Sequence, residues 1–178
     1  MNPKPPTFED TAHVSYCHNK YRSTYEGRFG VFLTEVGIDH RPDFESYVLK
    51  RYGKFTPTCW LTNDNAWLHI ATPRDTTIRS KVVDIGEILL TLAAHTDRPV
   101  YLAMKYATYM RYCPGGQVEP VTLQACNMCH EYGFRPVGES RHRSLSIICP
   151  DHADSLDQHL KDRAVNAMFL ADAFLFTR

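Results

Sequence analysis

The feature that most restricts this chain is a repeated ligand spacing in its last third. Cys126-Asn-Met-Cys129 sets two thiols two residues apart, and Cys149-Pro-Asp-His152 sets a thiol and an imidazole at the same spacing. A turn of that length lets both side chains reach one ion with little strain. Two such pairs complete the tetrahedron that zinc prefers. The chain between them must then fold back to bring the pairs together. The six cysteines, at 17, 59, 113, 126, 129 and 149, could instead form three disulfides. Against that, the start Met1-Asn2-Pro3-Lys4-Pro5-Pro6 has no apolar core for an export signal, and 178 residues can build a core without cross-links. Within the zinc reading, His130, His142 and Cys113 stand as alternatives for one ligand position.

The intervening residues have the pattern of a hairpin. Phe134 and Val137 mark one strand and Gly138-Glu-Ser140 a turn. Leu145 and Ile147 then alternate with Ser144 and Ser146 in a second strand that ends at Ile148 and Cys149. Pro150 suits the first turn of a helix, and Asp151 and Asp154 place negative charge near its N-terminus. Knuckle, hairpin and ligand-bearing helix, in that order, resemble the treble-clef group of zinc fingers over roughly residues 123–165. The resemblance implies zinc and an architecture but no activity, because many functions share that arrangement. With Cys126, Cys129, Cys149 and His152 as ligands, no coordination position is open to activate water. The expected cofactor is therefore one structural Zn2+ per chain.

Composition narrows the function classes. Lys+Arg and Asp+Glu both number 20, so the formal charge is zero and a whole-surface polyelectrolyte role is disfavoured. A hydrophobic content of 43% fits a folded chain rather than a disordered one. No apolar run approaches the ~18 residues of a membrane-spanning helix, so no membrane partner is expected. Thiolate ligands fit a reducing compartment, the cytoplasm or another intracellular space, including the host cell of a virus.

The length predicts a single α+β unit with a small addition. Residues 1–12, Pro-rich and polar, read as a flexible arm, 13–118 as a mixed body, and 119–178 as the zinc-binding part with a C-terminal helix. Arg28 to Val36 is rich in β-formers and reads as a buried strand. Asp39-His-Arg-Pro42 reads as a helix start, with Phe44, Tyr47, Val48 and Tyr52 on one face and Gly53 as the stop. Cys59-Trp-Leu-Thr62 and Ala66-Trp-Leu-His-Ile70 flank Asn63-Asp64-Asn65 and predict a hairpin. Asp84 to His95 predicts a helix with a capping box from Asp84 and Glu87. Pro99 reads as the start of a second helix, through Leu102, Tyr106 and Tyr109 to Cys113, and the two together as an αα-hairpin. Val118 to Ala125 reads as a strand. The last helix, from about Pro150 to Phe174, is apolar nearly all round after residue 164, which fits either burial or self-association.

Three functional readings follow. The one the residues favour is a zinc-stabilised, non-catalytic regulatory or adaptor protein with a protein partner. The second is nucleic-acid binding through Arg135, Arg141, His142 and Arg143 on the zinc hairpin, with the tyrosines between 101 and 112 as stacking surfaces. Against it, residues 119–178 hold six Lys/Arg and eight Asp/Glu. The third is an enzyme or second metal site in the body, using Cys17 or Cys59 with His13, His18, His69 or His95. A nuclease on the treble clef would need a hairpin base and open metal ligands, for which His142 and His159 match poorly. No phosphate loop, Gly-x-Ser-x-Gly or His-Glu-x-x-His motif supports catalysis.

Overall fold

The computed structural model describes residues 13–42, 45–71, 85–104, 106, 108–125, 132–137 and 158–175. Among these the protein is mixed α and β. The central element is a seven-stranded sheet in the order β11-β10-β9-β8-β7-β6-β3. Its strands are β3 (His40–Arg41), β6 (Cys59–Leu61), β7 (Ala66–Ile70), β8 (Val100–Met104), β9 (Thr108–Tyr112), β10 (Val118–Ala125) and β11 (Tyr132–Pro136). All neighbours are antiparallel except β7 and β8. That parallel pair requires a crossover, and helix α2 (Ile85–Thr96) lies within it. Two short hairpins complete the strands, β1 (Val14–Tyr16) with β2 (Asn19–Tyr21) and β4 (Tyr47–Leu49) with β5 (Gly53–Phe55).

Helices cover both faces of the sheet. Helix α1 (Thr24–Val36) and helix α3 (Gln158–Ala173) pack together on one face. Their core joins Phe29, Phe32 and Leu33 to Leu68, Tyr101, Phe134, Ala167 and Ala171. The opposite face is covered by α2 and the β4–β5 hairpin, around Leu49, Trp67, Leu89, Leu92 and Leu102. Among the described residues no helix is long and apolar enough to cross a membrane.

The predicted β6–β7 hairpin, the helix after residue 84, the 118–125 strand and a C-terminal helix are all present. Three segments differ. Residues 28–36 are helical because their termini override strand propensity. Ser23 caps the helix by accepting from the Glu26 N–H at 3.2 Å, and Gly37 ends it with φ +81°. The Gly37 N–H then donates to the Thr34 carbonyl and the Ile38 N–H to that of Leu33, the pattern of a Schellman end.

The expected helix after Asp39 is instead β3 and the β4–β5 hairpin. Gly53, with φ +77°, closes a three-residue loop between Leu49 and Gly53, so the left-handed glycine read as a helix stop belongs to a strand turn. The expected helix from Pro99, and with it the αα-hairpin, is replaced by β8 and β9. Val100 and Leu102 face one core and Tyr101 and Ala103 the other. A strand buried on both sides lacks the alternation that marks a strand in sequence.

Helix α1 also needs one residue without a side chain. A Cβ on Gly30 would stand 2.2 Å from the ring of Tyr21, so this contact fixes the β1–β2 hairpin against the helix.

Candidate functional site

The predicted ligands Cys126, Cys129, Cys149 and His152, and the basic residues Arg141, His142 and Arg143, lie outside the described residues. Their surroundings are described. Ala125, the last residue of β10, is in register with Tyr132, the first of β11. Ala125 and Tyr132 thus form a paired end of two neighbouring strands. The same point receives α3. The Arg163 guanidinium lies over the Tyr132 ring, 5.9 Å from its centre. Arg163 Nε–H also donates to the Glu35 carbonyl at 3.0 Å, which ties α3 to the end of α1. Arg135 of β11 is half-buried opposite Thr122 and so is not a freely projecting basic residue.

The Cys/His candidates of the body are not brought together into a metal site. Among the described residues, no group of three or more His, Cys, Asp or Glu side chains is arranged to hold an ion. Cys17 and His18 form the exposed tip of the β1–β2 hairpin, both with positive φ, 45° and 68°. That is the backbone of a two-residue primed turn, normally built from Asn or Gly. Cys59 is fully buried on the α1 side of the sheet, and burial pushes its thiol up, with the charge of Glu26 adding to the effect. His69 faces the other way, against the Phe55 ring at 5.0 Å, so Cys59 and His69 are separated by the sheet. His95 is exposed at the end of α2 and meets Tyr47 at 5.8 Å.

Two buried polar arrangements had no counterpart in the sequence reading. Arg22 grips the carboxylate of Glu26 through Nη2 at 2.6 Å and Nε at 3.2 Å, and also donates to the carbonyls of Thr56 and Pro57. Glu26 further accepts from the Arg22 N–H at 3.0 Å. With its carboxylate so engaged, Glu26 acts as a structural anchor between α1 and the approach to β6. The pattern Ser23-x-x-Glu26 was the signal that could have found it. The second is Tyr21 with His40. The Ile38 carbonyl takes the Nδ1 proton at 3.0 Å, so Nε2 accepts from the Tyr21 hydroxyl at 2.8 Å. Desolvation lowers the His40 pKa and raises that of Tyr21, which keeps both neutral.

The tyrosines proposed to stack nucleic-acid bases belong to the core: Tyr101, Tyr109 and Tyr112 are buried. Tyr106 packs on Phe29 at 5.3 Å and donates to Asp172 of α3 at 3.0 Å. None of the first three offers a free ring face. Compared with known proteins, the chain matches no family model, no curated protein and no solved structure.

Proposed function

We propose that this is a non-catalytic regulatory or adaptor protein that acts through a protein partner, with its C-terminal part fastened by one structural zinc ion. The ligands are Cys126, Cys129, Cys149 and His152. Support for the clamp comes from the residues on either side of it. Residues 126–131 run between register partners, and α3, which begins six residues after His152, meets Tyr132 beside them. A hairpin end and an incoming helix are the two supports that a knuckle and its distant second pair require.

The observation that carries the interaction reading is the outer side of α3. Ala167 and Ala171 are buried against the body, whereas Val165, Phe169 and Leu170 are 44%, 71% and 55% exposed. A large apolar side chain such as Phe169, held outward on an anchored helix, suits protein contact better than phosphate contact. Thiolate ligation also implies a reducing compartment.

The test is metal analysis of the purified full chain and of Cys126→Ser, with affinity capture by the wild type and Phe169→Asp in nuclease-treated extract. The expected result is about one zinc per chain in the wild type and a loss in Cys126→Ser. Captured protein should survive nuclease and be lost with Phe169→Asp. Unchanged metal content in Cys126→Ser would remove the ligand set. Capture abolished by nuclease would replace the protein partner with nucleic acid.

A further inference from the structure

The β1–β2 hairpin is a two-stranded unit of its own, with no strand ladder to the central sheet among the described residues. Side chains therefore fasten it. Val14 and Tyr21 are buried, yet both stand outside the continuous core of the α1–α3 face, and Tyr16 packs at the margin of that core. Two tyrosine hydroxyls make the fastening directional. That of Tyr16 donates to Glu35 Oε1 on α1 at 2.9 Å, and its ring meets Phe174 edge-on at 5.0 Å. That of Tyr21 donates to His40 Nε2 at 2.8 Å, with the tyrosine ring seated against Gly30. His40 belongs to β3, the two-residue strand at the margin of the sheet, and Tyr21 stacks on its ring with centres 6.2 Å apart.

Both acceptors bind protons, but with different consequences. A protonated Glu35 keeps a carbonyl oxygen that can accept from Tyr16. His40 has no such reserve. Its Nδ1–H already donates to the Ile38 carbonyl at 3.0 Å, so a proton on Nε2 makes both nitrogens donors. The imidazolium and the Tyr21 hydroxyl then oppose two donors in a buried place. We propose that the Tyr21–His40 pair is an acid-released latch: a proton taken up by His40 frees the β1–β2 hairpin while the central sheet stays folded. Burial lowers the pKa of His40, so the latched state resists the proton. The released state, with the ring in water, accepts it at about 6.5. The hold is thus complete above that pH and is lost as pH falls. The other titratable groups around the pair do not supply this change. Asp39 and Arg41 beside His40, and His13, His18 and Lys20 on the hairpin, are exposed. Glu26 of α1 is gripped by Arg22, and the buried Cys59 of β6 has its thiol pushed up and stays neutral.

The test is native-state amide exchange followed by NMR on the full chain between about pH 5 and 8, with β8 as the reference. In the wild type, protection of residues 14–21, corrected for intrinsic exchange, should fall up to about tenfold per pH unit below about 6.5. That exchange should be insensitive to dilute urea, the mark of a local opening. His40→Gln should remove the pH dependence. Tyr16→Phe should lower protection at every pH and keep the dependence. Nitrogen-15 shifts of the His40 ring should show the Nδ1–H tautomer at neutral pH. Hairpin protection that is flat with pH in the wild type, or that responds to urea as β8 does, would overturn the latch. So would a dependence that persists in folded His40→Gln or vanishes in Tyr16→Phe, or an Nε2–H tautomer.

Discussion

The two faces of the central sheet are held by different means. On the α1–α3 face the cover is continuous and joins distant parts of the chain, from Phe29 through Tyr101 and Phe134 to Ala171. Two of its buried polar side chains, Glu26 and His40, are held by Arg22 and Tyr21. On the other face the cover is α2 with a two-stranded hairpin, and the contacts are edge-on aromatic ones such as Tyr47 on Trp67 and Trp60 on Trp67. The hairpin is latched to α2 at the surface, where the Tyr52 hydroxyl donates to Glu87 at 2.8 Å. The first face is therefore a core in which one loss is felt throughout. The second is a cap that can loosen by itself.

The largest expected effect sets these faces against each other. Phe134 is fully buried between Tyr101 and Tyr109, at 4.6 and 4.8 Å. Phe134→Ala should cost about 3–5 kcal/mol in denaturant unfolding. Trp60→Ala, on the sheet face beneath the cap, where the ring is only half-buried, should cost about half as much. Equal costs would show that the cap is as integral as the core. Gly30→Ala comes next, at about 1–3 kcal/mol, because the new methyl must displace the Tyr21 ring. A neutral Gly30→Ala would mean that the β1–β2 hairpin yields freely.

A smaller effect is expected from pH. The folded pKa of His40 is depressed by burial, so the folded state resists the proton that the unfolded chain accepts below about 6.5. Its contribution is present above that pH and is lost as pH falls through the folded value. Asp64 has the opposite sign: its raised pKa favours the fold at low pH and loses that contribution as pH rises from about 4 through 6. The two oppose each other in one window, so stability must be compared between His40→Gln and wild type in an Asp64→Asn background. Loss of stability on acidification should be weaker in His40→Gln. The smallest effect belongs to the latch. Tyr52→Phe should speed amide exchange in β4 and β5 and leave α1 unchanged; a matching change in α1 would couple the two faces.

Legibility in the sequence followed the same division. The β6–β7 hairpin was readable because Asn63-Asp64-Asn65 separates two apolar runs, and α2 because its apolar residues keep helical spacing. Residues 99–112 were not, because β8 faces two cores and Pro99 fits the start of a strand as well as that of a helix. In α1, Phe29, Val31, Phe32 and Val36 spoke for a strand, while Ser23, Glu26 and Gly37 held the decisive evidence at the ends. The Tyr21–His40 pair was illegible because only β1, β2 and β3 together bring residues 19 positions apart into contact. The zinc spacing was plain in the sequence, as three cysteines and a histidine in two close pairs; the described structure adds the strand end and helix that flank them.

The central claim is a closed metal site with no place for a reactant. X-ray absorption at the zinc edge of the purified protein tests it most directly. Three sulfurs at about 2.3 Å and one nitrogen at about 2.0–2.1 Å, unchanged on adding small anions, are the predicted shell. A shell dominated by oxygen, or one that exchanges with added ligand, would contradict it.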